Sequence, residues 1–153
     1  PLSVPRGTET STAPEEFLYY LPAYDQWAAS NLPPGNRGAL QDPDGDHLAN
    51  LVEFVTSSPA LTPSSGLMSA VSRPGSDLPY MQFYRNPAAT DVFLFVEHSS
   101  DLNTWTALPA SDPRISVADP DPFGDGSRLL MQVSPDPDSP RMFYRLRAEK
   151  VHP

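Results

Sequence analysis

Between Asp42 and Glu53 the chain reads DPDGDHLANLVE. Counted from Asp42, side-chain oxygens fall at the first (Asp42), third (Asp44), fifth (Asp46), ninth (Asn50) and twelfth (Glu53) places, and Leu48 offers a backbone carbonyl at the seventh. That is the ligand spacing of an EF-hand loop, and the chemistry it serves is the capture of a hard cation. Calcium takes about six to eight oxygens at roughly 2.3–2.6 Å, and alternate acidic residues wrap such oxygens round one centre. The sixth place, where the chain bends sharply and glycine is usual, holds His47. Either histidine takes the left-handed region at some cost, or Gly45 two residues earlier eases the bend instead. An Asp-rich turn that caps a helix through Asp46 and binds nothing is the simpler alternative. Six matching places together, and the mutual repulsion of three aspartates within five residues, favour a bound Ca²⁺ held by Asp42, Asp44, Asp46, Leu48, Asn50 and Glu53.

Other chemistry finds less support. The histidines are His47, His98 and His152, and no G-x-S-x-G elbow or phosphate-binding glycine loop accompanies them. His98 adjoins Glu97 at a strand end and reads as a solvated polar pair. Asp119, Asp121 and Asp125 in DPDPFGDG lack a closing glutamate, so a hairpin loop is favoured over a second cation site. The chain has no cysteine, which excludes disulfides, thiolate zinc sites and cysteine nucleophiles. No catalytic residue and no organic cofactor is indicated. Trp27 and Trp105 read as core, whereas Tyr19, Tyr20 and Tyr80 could form an exposed patch.

The loop must be held by its neighbours. Phe17, Leu18, Leu21, Tyr24, Trp27 and Ala28 recur at helical intervals. Because Pro22 suits a first helical position, a short helix is expected over Pro22 to Asn31, ended by Pro33, Pro34 and Gly35. Leu48, Leu51, Val52 and Val55 make one apolar stripe, predicting a second helix over about 48–57. After Pro59 the period changes. Runs near Leu67 to Val71, Tyr80 to Arg85, Asp91 to Ser99, Thr104 to Leu108, Ile115 to Ala118, Leu129 to Val133 and Met142 to Ala148 read as short strands between turn clusters. A bulge is expected in the last, where Arg141, Arg145 and Arg147 form an outer face that Phe143 and Leu146 do not both fit. The expected fold is mainly β: a small antiparallel β-sandwich over about 66–150 with an N-terminal helix–calcium loop–helix unit. The division expected is a flexible tail or strand arm (1–14, with Leu2 and Val4), the helix–loop–helix unit (15–59) and the sandwich (60–153).

Composition agrees. Twenty prolines and 8 glycines are too many for long helices, which excludes helical bundles and coiled coils. A net charge of -9 repels phosphate backbones and anionic lipid surfaces, so no nucleic-acid partner and no membrane insertion are expected. The longest apolar run, Val92 to Val96, is far short of a membrane span. No signal peptide is visible and the first residue is Pro1, as expected of a mature product or an excised fragment.

Four stretches together, AYDQWAAS, DPDGDHLANLVEF, MQFYRNPAATDVFLFVEHSSDLNTW and RMFYRLRAE, resemble the C-terminal modules of large secreted bacterial proteins. There a Trp-containing helix precedes a single DxDxDG-type calcium loop, and a small β-domain follows with a V-x-x-S-x-D-L-x-x-W turn and a terminal F-[YL]-R-[LV] strand. The resemblance spans roughly residues 23 to 149; the loop alone is also similar to dockerin and thrombospondin type 3 loops. His47 departs from the pattern, and a dockerin carries two such loops where this chain has one. The resemblance implies secretion and calcium binding and implies no reaction. The function expected is a non-catalytic extracellular or cell-surface module, structural or for attachment. Its expected partners are calcium, copies of itself as in a surface fibre, or neighbouring domains of a parent protein. A carbohydrate-binding module appended to a secreted enzyme, stacking a glycan on exposed aromatic rings, is the alternative.

Overall fold

A computed structural model describes residues 21–139 and 141–151. The expected arm with Leu2 and Val4, the apolar positions Phe17 and Leu18, Tyr19, Tyr20 and His152 lie outside the described residues.

Pro22 has an extended backbone and stands immediately before the first helix among the described residues, α1, Ala23–Asn31. The second, α2, runs Asn50–Thr56. It begins two residues later than the apolar stripe predicts because Ala49 is still extended, at φ -74° and ψ 147°. The stripe is also wider than four residues: Leu51, Phe54 and Val55 are buried with Asn50, Glu53 and Thr56, so this short helix is enclosed nearly all round. Such a helix is held by packing rather than by its own propensity. Its last turn closes on Ser57 in the left-handed conformation.

Seven strands follow: β1 (Ser69–Val71), β2 (Tyr80–Arg85), β3 (Val92–Ser99), β4 (Thr106–Ala107), β5 (Ile115–Asp119), β6 (Leu129–Val133) and β7 (Phe143–Lys150). They form two antiparallel sheets, ordered β1-β2-β6-β5 and β4-β3-β7, a small sandwich. β3 and β7 pair over eight residues, from Val92↔Lys150 to Ser99↔Phe143, without a shift. The bulge expected in β7 is therefore absent: Phe143 shares the outer face with Arg145 and Arg147 while Leu146 points inward, a regular alternation. The irregularity falls instead in β5, between Val117 and Asp119.

Two apolar clusters fill the interior. Phe83, Val96, Leu108, Met131 and Val133 lie between the sheets. Tyr24, Ala28, Leu32, Leu51, Phe54, Val55, Ala60, Ala89 and Val92 join both helices to the sheet, with Trp27, Leu94 and Ala148 against them. Tyr24, Trp27 and Phe54 meet ring to ring with centroids 5.2–5.7 Å apart. Trp27 thus faces the core as expected. Trp105 belongs to neither cluster; it is half-buried with the Arg145 guanidinium 4.3 Å over its ring. The C-terminal carbonyls of α2 are tied to the sandwich by Asn86, whose backbone N–H donates to Val55 O (2.8 Å) and whose amide donates to Phe54 O (3.0 Å).

Candidate metal centre

Asx turns shape the loop between the helices. The Asp42 carboxylate accepts the N–H of Gly45 (2.8 Å) and of His47 (2.9 Å). Asp46 accepts Leu48 N–H (2.8 Å) on one oxygen and Ser64 N–H (2.7 Å) on the other. Asp44 takes the Asp46 N–H at 3.3 Å through one oxygen, and its other oxygen is buried without a hydrogen-bond partner. His47 has φ 72° and Gly45 φ 76°, so Gly45 does not replace the bend at His47: both residues are left-handed.

The outcome is convergence. Asp42, Asp44 and Asp46 each present a carboxylate oxygen within 4.8 Å of the other two, a group that could hold a metal ion. No other such group of three histidines or acids occurs among the described residues. In the DPDPFGDG loop the carboxylates are turned to their own backbone: Asp119 accepts Asp121 N–H, Asp121 accepts those of Asp125 and Gly126, and Asp125 that of Ser127. Asp46 does not cap α2 through its side chain, since Ala49 occupies that place.

Glu53 is fully buried, and neither of its carboxylate oxygens has a hydrogen-bond partner. Burial, then the charges of Asp44, Asp46 and Asp42, push its pKa up to about 8. Burial also raises Asp44, with the neighbouring aspartates adding to it, whereas the N–H groups of His47 and Gly45 outweigh burial and lower Asp42. An unpaired carboxylate in the interior is costly, and a cation near enough to pair with it removes the cost. Glu53 lies outside the tight three-carboxylate group, as does Asn50.

Asn50 is fully buried, and its amide nitrogen donates to the carbonyls of Asn36 (2.8 Å) and Gly38 (2.9 Å), leaving its oxygen without a partner. Its backbone N–H donates to Gln41 O and that of Leu51 to Ala39 O, which satisfies the first amides of α2 and lashes the incoming chain to the helix. Leu48 sits at the loop exit, and its carbonyl takes no hydrogen bond among the described residues. Sequence spacing did not reveal Ser64 or the carbonyls of Asn36 and Gly38. These are backbone groups brought in by the fold, and no side-chain pattern marks them.

The remaining candidates are placed as follows. Glu97 and His98 point to opposite faces of β3. Glu97 accepts Arg145 Nε (2.6 Å) and Arg147 Nε (2.7 Å), and His98 Nδ1 lies 3.4 Å from Met142 Sδ. Tyr80 has the Arg73 guanidinium 4.6 Å above its ring, as Trp105 has Arg145.

Comparison of the chain with protein-family models, with curated proteins and with solved structures finds no match. No helix among the described residues is long and apolar enough to cross a membrane.

Proposed function

We propose that this chain is a non-catalytic, extracellular calcium-stabilised module, structural or for attachment, of the kind found at the C-terminal ends of large secreted bacterial proteins. One observation carries the calcium reading: Glu53, at the closing place of the loop, is buried with both oxygens unpartnered and feels the charges of Asp42, Asp44 and Asp46. All-oxygen donors of high negative charge suit calcium or magnesium rather than zinc or copper. A loop that offers six donors suits the larger ion. Bound calcium joins the loop to α2, and α2 is tied through Asn86 to β2 and β3, so the ion's affinity becomes stability of the whole sandwich. The resemblance to secreted modules supports an extracellular location, where millimolar calcium fills even a loop of modest affinity.

Calorimetric titration tests it. The expected result is one calcium per chain, with magnesium far weaker and both Asp44→Ala and Glu53→Ala abolishing the heat. Equal heats for the variants, or none for the wild type, would refute the assignment.

A further inference from the structure

The outer face of the β1-β2-β6-β5 sheet combines amides, hydroxyls, aromatic rings and guanidiniums in a regular order. Phe83, Met131 and Val133 point to the interior, so Gln82, Tyr84 and Gln132 point outward, and Tyr80 with them. Register sets Ser69, Gln82, Gln132 and Ser116 in one row straight across the four strands. Within that row the Gln132 amide donates to Ser116 Oγ (3.2 Å). On either side of it a guanidinium lies against a tyrosine ring. Arg73 is 4.6 Å from the centroid of Tyr80 and donates to Gln132 Oε1. Arg128 is 5.3 Å from that of Tyr84 and 4.5 Å from that of Phe123, and its Nε has no hydrogen-bond partner. Neither guanidinium joins an ion pair among the described residues. The four strands hold a single acid, Asp119, which accepts the Asp121 N–H. The rings thus fix two positive charges on this face without neutralising them.

We propose that this face binds a linear glycan carrying carboxylates at intervals, with a uronic acid at every other sugar; this names a partner for the attachment role and rests on that reading. Tyr80 and Tyr84 stand four residues apart on one strand, about 13 Å. The two charges therefore call for acid groups that recur along an extended chain rather than for one small anion. Two guanidiniums in a chain of net charge -9 do not hold a polymer charged at every unit, which argues against a phosphate backbone. A glycan charged at intervals meets them, its carboxylates on the forked donors of Arg73 and Arg128. Between the two, the row of amides and hydroxyls offers hydrogen bonds to sugar hydroxyls. Phe123, 54% exposed, presents a ring to the apolar face of a sugar.

Calorimetric titration of the full chain, in calcium, with a hyaluronan octasaccharide tests this, since that glycan has a carboxylate on every other sugar. Arg73→Gln/Arg128→Gln is expected to weaken binding at least about tenfold, and cellohexaose, which is neutral, to bind the wild type at least about tenfold more weakly than the octasaccharide. Arg145→Gln, on the outer face of the other sheet, is expected to leave the affinity unchanged. The proposal is overturned by any of four results: no heat from the wild type, equal affinity in the double variant, affinity lost in Arg145→Gln, or tighter binding of an oligothymidylate or a heparin octasaccharide. Calcium heats are read on the same proteins. Glycan binding absent with the calcium heat intact overturns this face alone, whereas a wild type that binds the glycan without any calcium heat supports the face and overturns only the metal assignment.

Discussion

At φ 72°, His47 holds a conformation that costs an L-residue with a Cβ about 1–2 kcal/mol. Its N–H nevertheless serves the Asp42 carboxylate, so the bend is needed and only the side chain is unsuited to it. Because the bend is part of the folded loop, His47→Gly should act on folding and raise stability by up to about 1 kcal/mol in urea unfolding; an unchanged urea midpoint would mean the loop holds this bend without strain. A second effect concerns acid. The Asp112 carboxylate takes a bidentate hold from Arg114 (Nε 3.0 Å, Nη2 2.9 Å) and the Arg114 N–H, which keep its pKa at about 2. Asp101 is likewise held at about 2 by the N–H groups of Thr104 and Asn103 and the Ser99 hydroxyl. Unfolded aspartates titrate near 3.9, so these folded values lie below the unfolded ones. The stability they contribute is complete above about pH 4 and is lost as pH falls toward 2. Urea midpoints measured across that window should fall, and Asp112→Asn should flatten the slope without abolishing it.

Among the elements, β3 and β7 form the longest pairing, and its outer face is crossed by one buried carboxylate with two guanidiniums. Glu97 is nearly enclosed while Arg145 and Arg147 remain a third to a half exposed, so solvent screens part of each ion pair. Glu97→Ala should cost about 1–2 kcal/mol in urea unfolding, and Arg145→Met alone should cost less because Arg147 still serves the carboxylate. The strand positions were legible because each run of Val, Phe, Leu and Tyr is bounded by proline and aspartate clusters; β2 and β6 fall where the alternation puts them. The start of α2 was not. Leu48 shares the helical period with Leu51 and Val55, but its N–H is held by the Asp46 carboxylate and Ala49 is extended, so the helix begins only at Asn50. Trp105 was misjudged for a related reason: a large ring suggests core, yet an arginine stacked on it supplies the cover.

For the whole molecule, the link between loop and sandwich runs through Phe54. Its ring sits against Tyr24 and Trp27, and its carbonyl is held by Asn86 at the turn between β2 and β3. Phe54→Ala should cost about 3–5 kcal/mol in urea unfolding and should weaken calcium binding as well, since the helix that carries Glu53 loses its seat. Spacing in the sequence named the acids of the loop but could not show that Glu53 is buried, because its burial depends on the elements packed against α2 in the fold. That enclosure makes a vacant loop costly. With calcium about a hundredfold above its dissociation constant, binding adds roughly 2.7 kcal/mol to folding. In a chain of this size that is a rise of about 10 °C in melting temperature. The direct test is a thermal melt of the full chain in calcium and in chelator, beside Glu53→Ala. The account predicts a wild-type melt higher by that margin in calcium and a variant indifferent to the ion; superimposable wild-type curves in the two buffers would contradict it.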